Sequence, residues 1–291
     1  MNTTRPQQTV ACAAQVSGYG YWGGKDVRVE FRPAPPNTGI VFVRSDLQPA
    51  IRIPALVENR IEIPRRTTLA ANGAAVEMVE HVLAALAGLQ IDNCEVWVDQ
   101  AEMPGCDGSS EPFVAALLTG GIVSQDWPAR QLIVTDVTRV GSDECWVEAR
   151  PAKRGGLSIK YRLDYGSDNS IGKQTIELKV TPESFRRELA AARTFLLQNE
   201  AEWLRSRGLG GRVTPQDVLV FGDLGPIDNE LRFEDECVRH KALDLIGDLA
   251  LANCEIVGQI IAYRSGHRLN AELARVLLAE GQRIEPRRKS A

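Results

Sequence analysis

Histidine is scarce in this chain: three occur in 291 residues, His81, His240 and His267. It is the side chain most used to bind transition metals and to move protons near neutral pH, so few positions are open to that chemistry. Each of the three stands beside a carboxylate or a glycine, in Val79-Glu80-His81, in the run from Arg239-His240 to Asp244, and in Ser265-Gly266-His267. The six cysteines (Cys12, Cys94, Cys106, Cys145, Cys237, Cys254) form no C-x-x-C pair. That argues against a zinc ribbon, a redox dithiol or a disulfide framework, and leaves reduced, mostly buried small hydrophobes. Long apolar runs are missing as well. The polar segment 1–8 leads into a short apolar stretch over 9–16, so neither a signal h-region nor a membrane span is read and the cytosol is the expected location. With 34 Lys and Arg against 38 Asp and Glu, the net charge of −4 offers no field for a phosphate backbone, and nucleic acid is not expected as a partner.

The remaining composition, 44% hydrophobic and 25% charged, is that of a globular chain long enough for two modest domains. Alternation predicts a strand over 27–31, a loop over 33–39 and a strand over 40–43. From Ala75 the spacing of Val79, Val82, Leu83 and Leu86 predicts a helix with Gly88 at C′. A strand over 94–98, a tight loop over 103–110 and a helix over 112–118 follow. The weakly patterned stretch 120–128 suggests a domain boundary near residue 125, giving domains 1–125 and 126–291. The second domain reads as strands over 131–137, 145–149, 157–163 and 175–180, then a helix from Thr181-Pro182 to about Ala192. A helix over 239–251, a strand over 256–263 and a helix over 270–279 complete it, and the tail 283–291 is expected to fray. Two β-then-two-helix units predict a duplicated α+β architecture with both helices of a unit on one sheet face.

On the 239–251 helix, His240, Asp244 and Asp248 recur every four residues and so share a face, drifting about 40° per step. Their neighbours Ala242, Leu243, Leu245, Ile246 and Leu249 are apolar, so a lone charge there is costly unless paired or bound to a cation. The competing reading is an acidic stripe facing water. Glu80 and His81, adjacent on a helix, diverge by about 100° and converge only in part. A histidine ligand with a neighbouring glutamate nevertheless suits a hydrolase whose carboxylate deprotonates water, although a core-edge histidine bonded to backbone is the alternative. Two histidines and one aspartate make three ligands and leave a fourth position open, as in catalytic zinc sites. His267, on an expected strand-to-helix loop, is the candidate cationic acid, held charged by Asp248.

Residues 79–93 (Val-Glu-His-Val-Leu-Ala-Ala-Leu-Ala-Gly-Leu-Gln-Ile-Asp-Asn), 192–195 (Ala-Arg-Thr-Phe), 231–236 (Leu-Arg-Phe-Glu-Asp-Glu) on through Asp248, and 265–270 (Ser-Gly-His-Arg-Leu-Asn) resemble the UDP-3-O-acyl-N-acetylglucosamine deacetylases. The resemblance runs in order from about Gln8 to Leu278. It implies a zinc amidase of lipid A synthesis acting on a UDP-linked acylated glucosamine. By the same resemblance His81, His240 and Asp244 would bind Zn2+, Glu80 would be the general base, and His267 with Asp248 would supply the acid. Thr194 would stabilise the oxyanion, Phe195 would lie near the nucleotide or sugar, and Lys241 would face substrate phosphate. The implied fold is a two-domain sandwich, each domain a sheet with two helices, the helices packed between the sheets. An insert over 194–225 would form a hydrophobic passage from Phe195, Leu196, Leu197, Trp203, Leu204, Leu209 and Gly210-Gly211. A monomer is expected.

The chain departs from the family pattern at several points. Gly18-Tyr19-Gly20-Tyr21-Trp22-Gly23-Gly24 lacks the family's histidine, Cys145 replaces a lysine, segment 164–169 lacks a His-Pro, and Met78 stands where Ser or Thr is usual. Two other functions therefore stay open at this point: a relative that deacetylates another acylated amino-sugar, and a non-catalytic regulator that binds sugar nucleotides.

Overall fold

A computed structural model describes residues 4–153 and 155–284, with side chains as far as residue 281. In the first half lie β1 (Pro6–Val10), β2 (Ala14–Tyr19), β3 (Asp26–Pro33), β4 (Ile40–Arg44), β5 (Ile51–Pro54), β6 (Arg60–Ile63), β7 (Arg66–Ala71), β8 (Ala74–Glu77), α1 (Glu80–Gly88), β9 (Cys94–Val98), α2 (Glu111–Thr119) and β10 (Ile122–Pro128). The second half contains β11 (Gln131–Ile133), β12 (Thr138–Gly141), β13 (Trp146–Arg150), β14 (Leu157–Asp164), β15 (Lys173–Lys179), α3 (Pro182–Glu188), β16 (Phe195–Leu197), α4 (Gln198–Ser206), β17 (Leu219–Gly222), β18 (Gly225–Pro226), α5 (Glu236–Leu249), β19 (Glu255–Tyr263), α6 (His267–Glu280) and β20 (Gln282–Ile284).

The duplication is visible in the strand order. The first sheet runs β2-β3-β9-β4-β5, antiparallel except for the parallel pair β4 and β9. The second runs β12-β13-β19-β14-β15, antiparallel except for the parallel pair β14 and β19; β11 also pairs with β19, in parallel, and β20 pairs antiparallel with β11. In each unit a helix precedes the central strand (α1 before β9, α5 before β19) and another follows it (α2, α6). Each sheet buries alternate residues, Val27, Val29 and Phe31 on β3 and Ile159, Tyr161 and Leu163 on β14. A strand exposes opposite faces at successive positions, so this alternation leaves one face to be covered by helices.

Those helices form the middle layers of an α+β two-domain sandwich. α1 is buried along nearly its whole length and α5 over twelve of its fourteen residues, as expected of helices enclosed on all sides. They cross closely because α5 carries Gly247 at the contact: a Cβ there would lie 2.2 Å from the carbonyl oxygen of Glu80. Two insertions flank the central helices. The strands β6, β7 and β8 precede α1, and β16, α4, β17 and β18 precede α5.

Several sequence expectations need correction. Residues 74–77 form β8, and α1 begins at Glu80 after Met78 turns the chain with φ 58°. Gly88 is the last residue of α1, not C′; its missing side chain admits the Phe185 ring, which a Cβ would meet at 2.3 Å. The 181–192 helix stops at Glu188. The expected strand over 131–137 ends at Ile133, and β10 occupies the stretch that looked unpatterned. α5 starts three residues early and α6 starts at His267, not Asn270. Residues 283 and 284, expected to fray, belong to β20, and the rest of the tail lies outside the described residues.

Candidate metal centre

The two central helices bring the sequence candidates together. α1 supplies Glu80 and His81 in its first turn, and α5 supplies His240, Asp244 and Asp248 on one face; all five are buried. Burial excludes the solvated acidic stripe as a reading of Asp244 and Asp248. The Nε2 atoms of His81 and His240 lie 3.7 Å and 3.4 Å from Oδ1 of Asp244, and one ligand atom from each residue fits within 4.8 Å of the others. Oδ1 of Asp244 is buried without a hydrogen-bond partner, whereas Oδ2 accepts from Lys241 Nζ at 2.7 Å. An unpaired buried carboxylate oxygen is costly, so the trio fits a cation between its three atoms.

The protonation pattern suits that fit. Burial, reinforced by the neighbouring His240, pushes His81 down to about 3, and burial likewise lowers His240. Both shifts favour the neutral imidazole, the form that presents a nitrogen lone pair to a metal. His240 Nδ1 lies 3.1 Å from the Ala192 carbonyl, which makes Nδ1 the donor and turns the Nε2 lone pair towards Asp244. Asp244 is held well below the usual carboxylate range: burial opposes its charge, but His240 and Lys241 outweigh it.

Two further titratable groups flank the trio. Burial pushes Glu80 up to about 7, partly countered by His267 and reinforced by Asp244, while its Oε2 accepts the Thr67 amide at 2.9 Å. His267 is the first residue of α6, with Nδ1 2.9 Å from Asp248 Oδ2. Burial would depress its pKa, yet the Asp248 charge and hydrogen bond lift it to about 9. Asp248 also accepts from Asn270 Nδ2 at 2.9 Å and from Thr67 Oγ1 at 2.6 Å. Sequence reading missed Asn270 and Thr67. Asn270 carried a signal, three residues after His267 on one helix face; Thr67, 181 residues from Asp248, carried none.

The remaining candidates line one cleft of about 1010 Å3 that opens from this centre. Thr194 sits at its wall, its amide bonded to Gly108 O at 2.8 Å. The preceding Arg193 is buried on Glu236, with Nε at 2.8 Å from Oε1, which ties this segment to the start of α5. The Phe195 ring packs edge-on against His240, with centroids 6.3 Å apart. Gly210, at φ 68°, and Leu196, Leu204 and Leu209 line the outer part. Leu197, Gly211 and Trp203, expected in the same passage, do not line it; Trp203 is 51% exposed under Arg207. Lys241, expected to face substrate phosphate, borders the cleft with its ammonium held on Asp244.

The departures from the family pattern gather there too: Tyr21, Trp22, Met78, Cys145, Asp164, Tyr165 and Gly166 border the cleft. A smaller cavity of about 130 Å3 lies between the C-terminal ends of α1 and α5, remote from the histidines.

Comparison with known proteins agrees with this geometry. The family model for LpxC, UDP-3-O-acyl N-acetylglycosamine deacetylase, matches residues 7–279. A UDP-3-O-acyl-N-acetylglucosamine deacetylase of Actinobacillus pleuropneumoniae serotype 3 is 38% identical over 277 residues, 94% of this chain and 90% of that protein. The proteins of the same name from Shewanella sp. strain W3-18-1 and Shewanella violacea are each 37% identical, with the same coverage. A match of this extent, spanning both halves and every residue of the buried trio, makes the chain a member of the UDP-3-O-acyl-N-acetylglucosamine deacetylase family.

Proposed function

We propose that this protein hydrolyses the N-acetyl group of UDP-3-O-acyl-N-acetylglucosamine, releasing acetate in the committed step of lipid A biosynthesis, with Zn2+ held by His81, His240 and Asp244. The observation that carries the reading is the orphaned Oδ1 of Asp244, faced by two neutral histidine rings and flanked by one carboxyl and one imidazolium group. Zinc in that position supplies Lewis acidity, which activates water and polarises a carbonyl.

The side chains then divide the proton work. Glu80, with a pKa near 7, takes a proton from the attacking water as its oxygen bonds to the acetyl carbon. Thr194 offers a donor where negative charge develops on the carbonyl oxygen. As the C–N bond breaks, the nitrogen takes its proton from His267 Nε2, because Nδ1 is engaged by Asp248. Lys241 neutralises Asp244 and keeps its carboxylate oriented, besides bordering the space for substrate phosphate. Phe195, Gly210, Leu196, Leu204 and Leu209 line the cleft and would form the wall along which sugar and acyl chain lie.

The same reading takes the enzyme to be a cytoplasmic monomer that does not bind nucleic acid; among the described residues no helix is long and apolar enough to cross a membrane. It divides the chain into the two units expected, 1–125 and 126–291, although β10 runs to Pro128 and pairs with β1 across that boundary, with a register shift between Pro6 and Gln8. Neither another amino-sugar substrate nor a purely regulatory role is adopted, since the relatives compared share the deacetylase name. Metal analysis coupled to an acetate-release assay tests the proposal. Purified protein should hold about one zinc per chain, and Glu80→Ala should keep the metal but lose about 100-fold or more in kcat. Full turnover by metal-loaded Glu80→Ala would disprove the assigned mechanism.

A further inference from the structure

Thr67 contacts the proposed base directly and, at Asp248, the support of the proposed acid. Its main-chain N–H donates to Oε2 of Glu80 at 2.9 Å, and its hydroxyl donates to Oδ1 of Asp248 at 2.6 Å. Glu80 belongs to the first unit and Asp248, with His267, to the second, so one residue spans the boundary between the base and the acid. We infer that Thr67 is a positioning residue for the reaction, fixing the carboxylate of Asp248 and the distance between Glu80 and His267. The inference rests on the deacetylase reading above and deepens it.

The local structure is built for that task. Thr67 lies on β7, the middle strand of the β6-β7-β8 insert, and pairs with Glu62 of β6, while the pairing of β7 with β8 begins at the next residue, Thr68. Its residue is buried, and its carbonyl accepts from Val79 N at the entrance to α1, so the backbone that aims the N–H is the backbone that starts the Glu80 helix. β-Branching restricts χ1, which keeps the hydroxyl aimed across the interface. On Asp248 the bonds divide: Oδ1 accepts from Thr67, whereas Oδ2 accepts from Asn270 and contacts His267 Nδ1. Without the Thr67 hydroxyl, Oδ1 would be a buried charged oxygen lacking that donor, and rotation of the carboxylate would draw Oδ2 away from the imidazole. Groups that orient the first layer of a reactive centre typically contribute about 10- to 100-fold.

The test is a set of variants in the full-length zinc-loaded enzyme, read by acetate release and metal content. Thr67→Val retains the N–H and the shape but removes the hydroxyl. Its kcat should fall about 10- to 100-fold with KM and zinc content within about twofold of wild type. Thr67→Ser should restore most of the rate. In a His267→Ala background the Thr67→Val effect should shrink to less than about twofold, because the hydroxyl acts through that imidazole. If Thr67→Val does not fold, Thr67→Ala provides the same comparison. An unchanged kcat in the hydroxyl-free variant, an equal loss in Thr67→Ser, or an undiminished effect without His267 overturns the inference while leaving the deacetylase reading intact. A zinc-loaded wild-type protein that releases no acetate overturns both.

Discussion

Nδ1 of His267 lies 2.9 Å from Oδ2 of Asp248, and this contact decides both the charge and the direction of the imidazole. The ring stands at the first position of α6, where the helix dipole disfavours a cation, inside a buried site that disfavours it further. The Asp248 charge overcomes both and leaves Nε2 as the proton to give.

Asp248→Asn should therefore shift the alkaline limb of the kcat/KM profile. The raised value of about 9 depends on the Asp248 charge opposing burial; with that charge gone, burial dominates and the cationic acid is lost at lower pH. The expected shift is at least about one pH unit downward. Stability follows the same sign: a raised histidine contributes fully below its unfolded value of about 6.5 and loses that contribution as pH rises through about 9. Denaturation of wild type and variant between pH 6 and 10 measures it. A parallel loss in both proteins would contradict the assignment.

Chelation should abolish acetate release, and Zn2+ should restore it. On the proposed reading the metal would bind the folded trio in preference to the unfolded chain, so zinc should also raise the melting temperature by several degrees, about 3 kcal/mol at a hundredfold excess over Kd. In Asp244→Ala that zinc-dependent increment should shrink sharply, because the variant removes the oxygen that faces both histidines. Calorimetry with and without zinc reads the difference.

Gly247→Ala should damage stability and metal binding together. The added Cβ would sit 2.2 Å from the Glu80 carbonyl oxygen, so α5 must move away from α1. Overpacking of this kind costs about 1–3 kcal/mol. The same movement separates His81 from His240 and Asp244, so zinc affinity should fall although no ligand is altered. Urea unfolding and zinc titration on one sample would show whether the two losses travel together.

Glu236→Ala should destabilise the second unit more than an ordinary surface change. The carboxylate is fully buried and accepts from the Arg193 side chain and main chain and from the Arg232 amide. Its removal leaves the Arg193 guanidinium buried without its charge partner, a loss of about 3–5 kcal/mol. Arg193 precedes Thr194, so residual folded enzyme should also show reduced kcat; equilibrium unfolding and initial rates together measure both effects.

Much of this site was legible before any coordinates. Five side chains that the structure buries together, Glu80, His81, His240, Asp244 and Asp248, stand out in the sequence by residue type, scarcity and four-residue spacing, and the roles proposed for them come from that chemistry and from the family resemblance. The alternating strands β3 and β9 and the continuous apolar run of β4 are legible in the sequence as well. The insert strands β6 to β8 were not, because short hairpins of mixed charge carry little period; part of β8 was read as the start of a helix. α3 was overextended because its N-terminal proline and capping pattern mark a start without marking an end.

The sequence by itself determined the chemical inventory: three histidines, two of them, His81 and His240, on helical segments whose apolar neighbours force them inward. Periodicity is a local property, so it determined which face of α5 carries His240, Asp244 and Asp248. Tertiary structure decided what no local pattern encodes: that α1 and α5 cross at Gly247, that Asp244 Oδ1 is left facing two imidazoles, and that Thr67 reaches Asp248 across 181 residues. Those relations depend on packing between segments remote in sequence, where distance is set by the side chains both contribute and not by the spacing within either one.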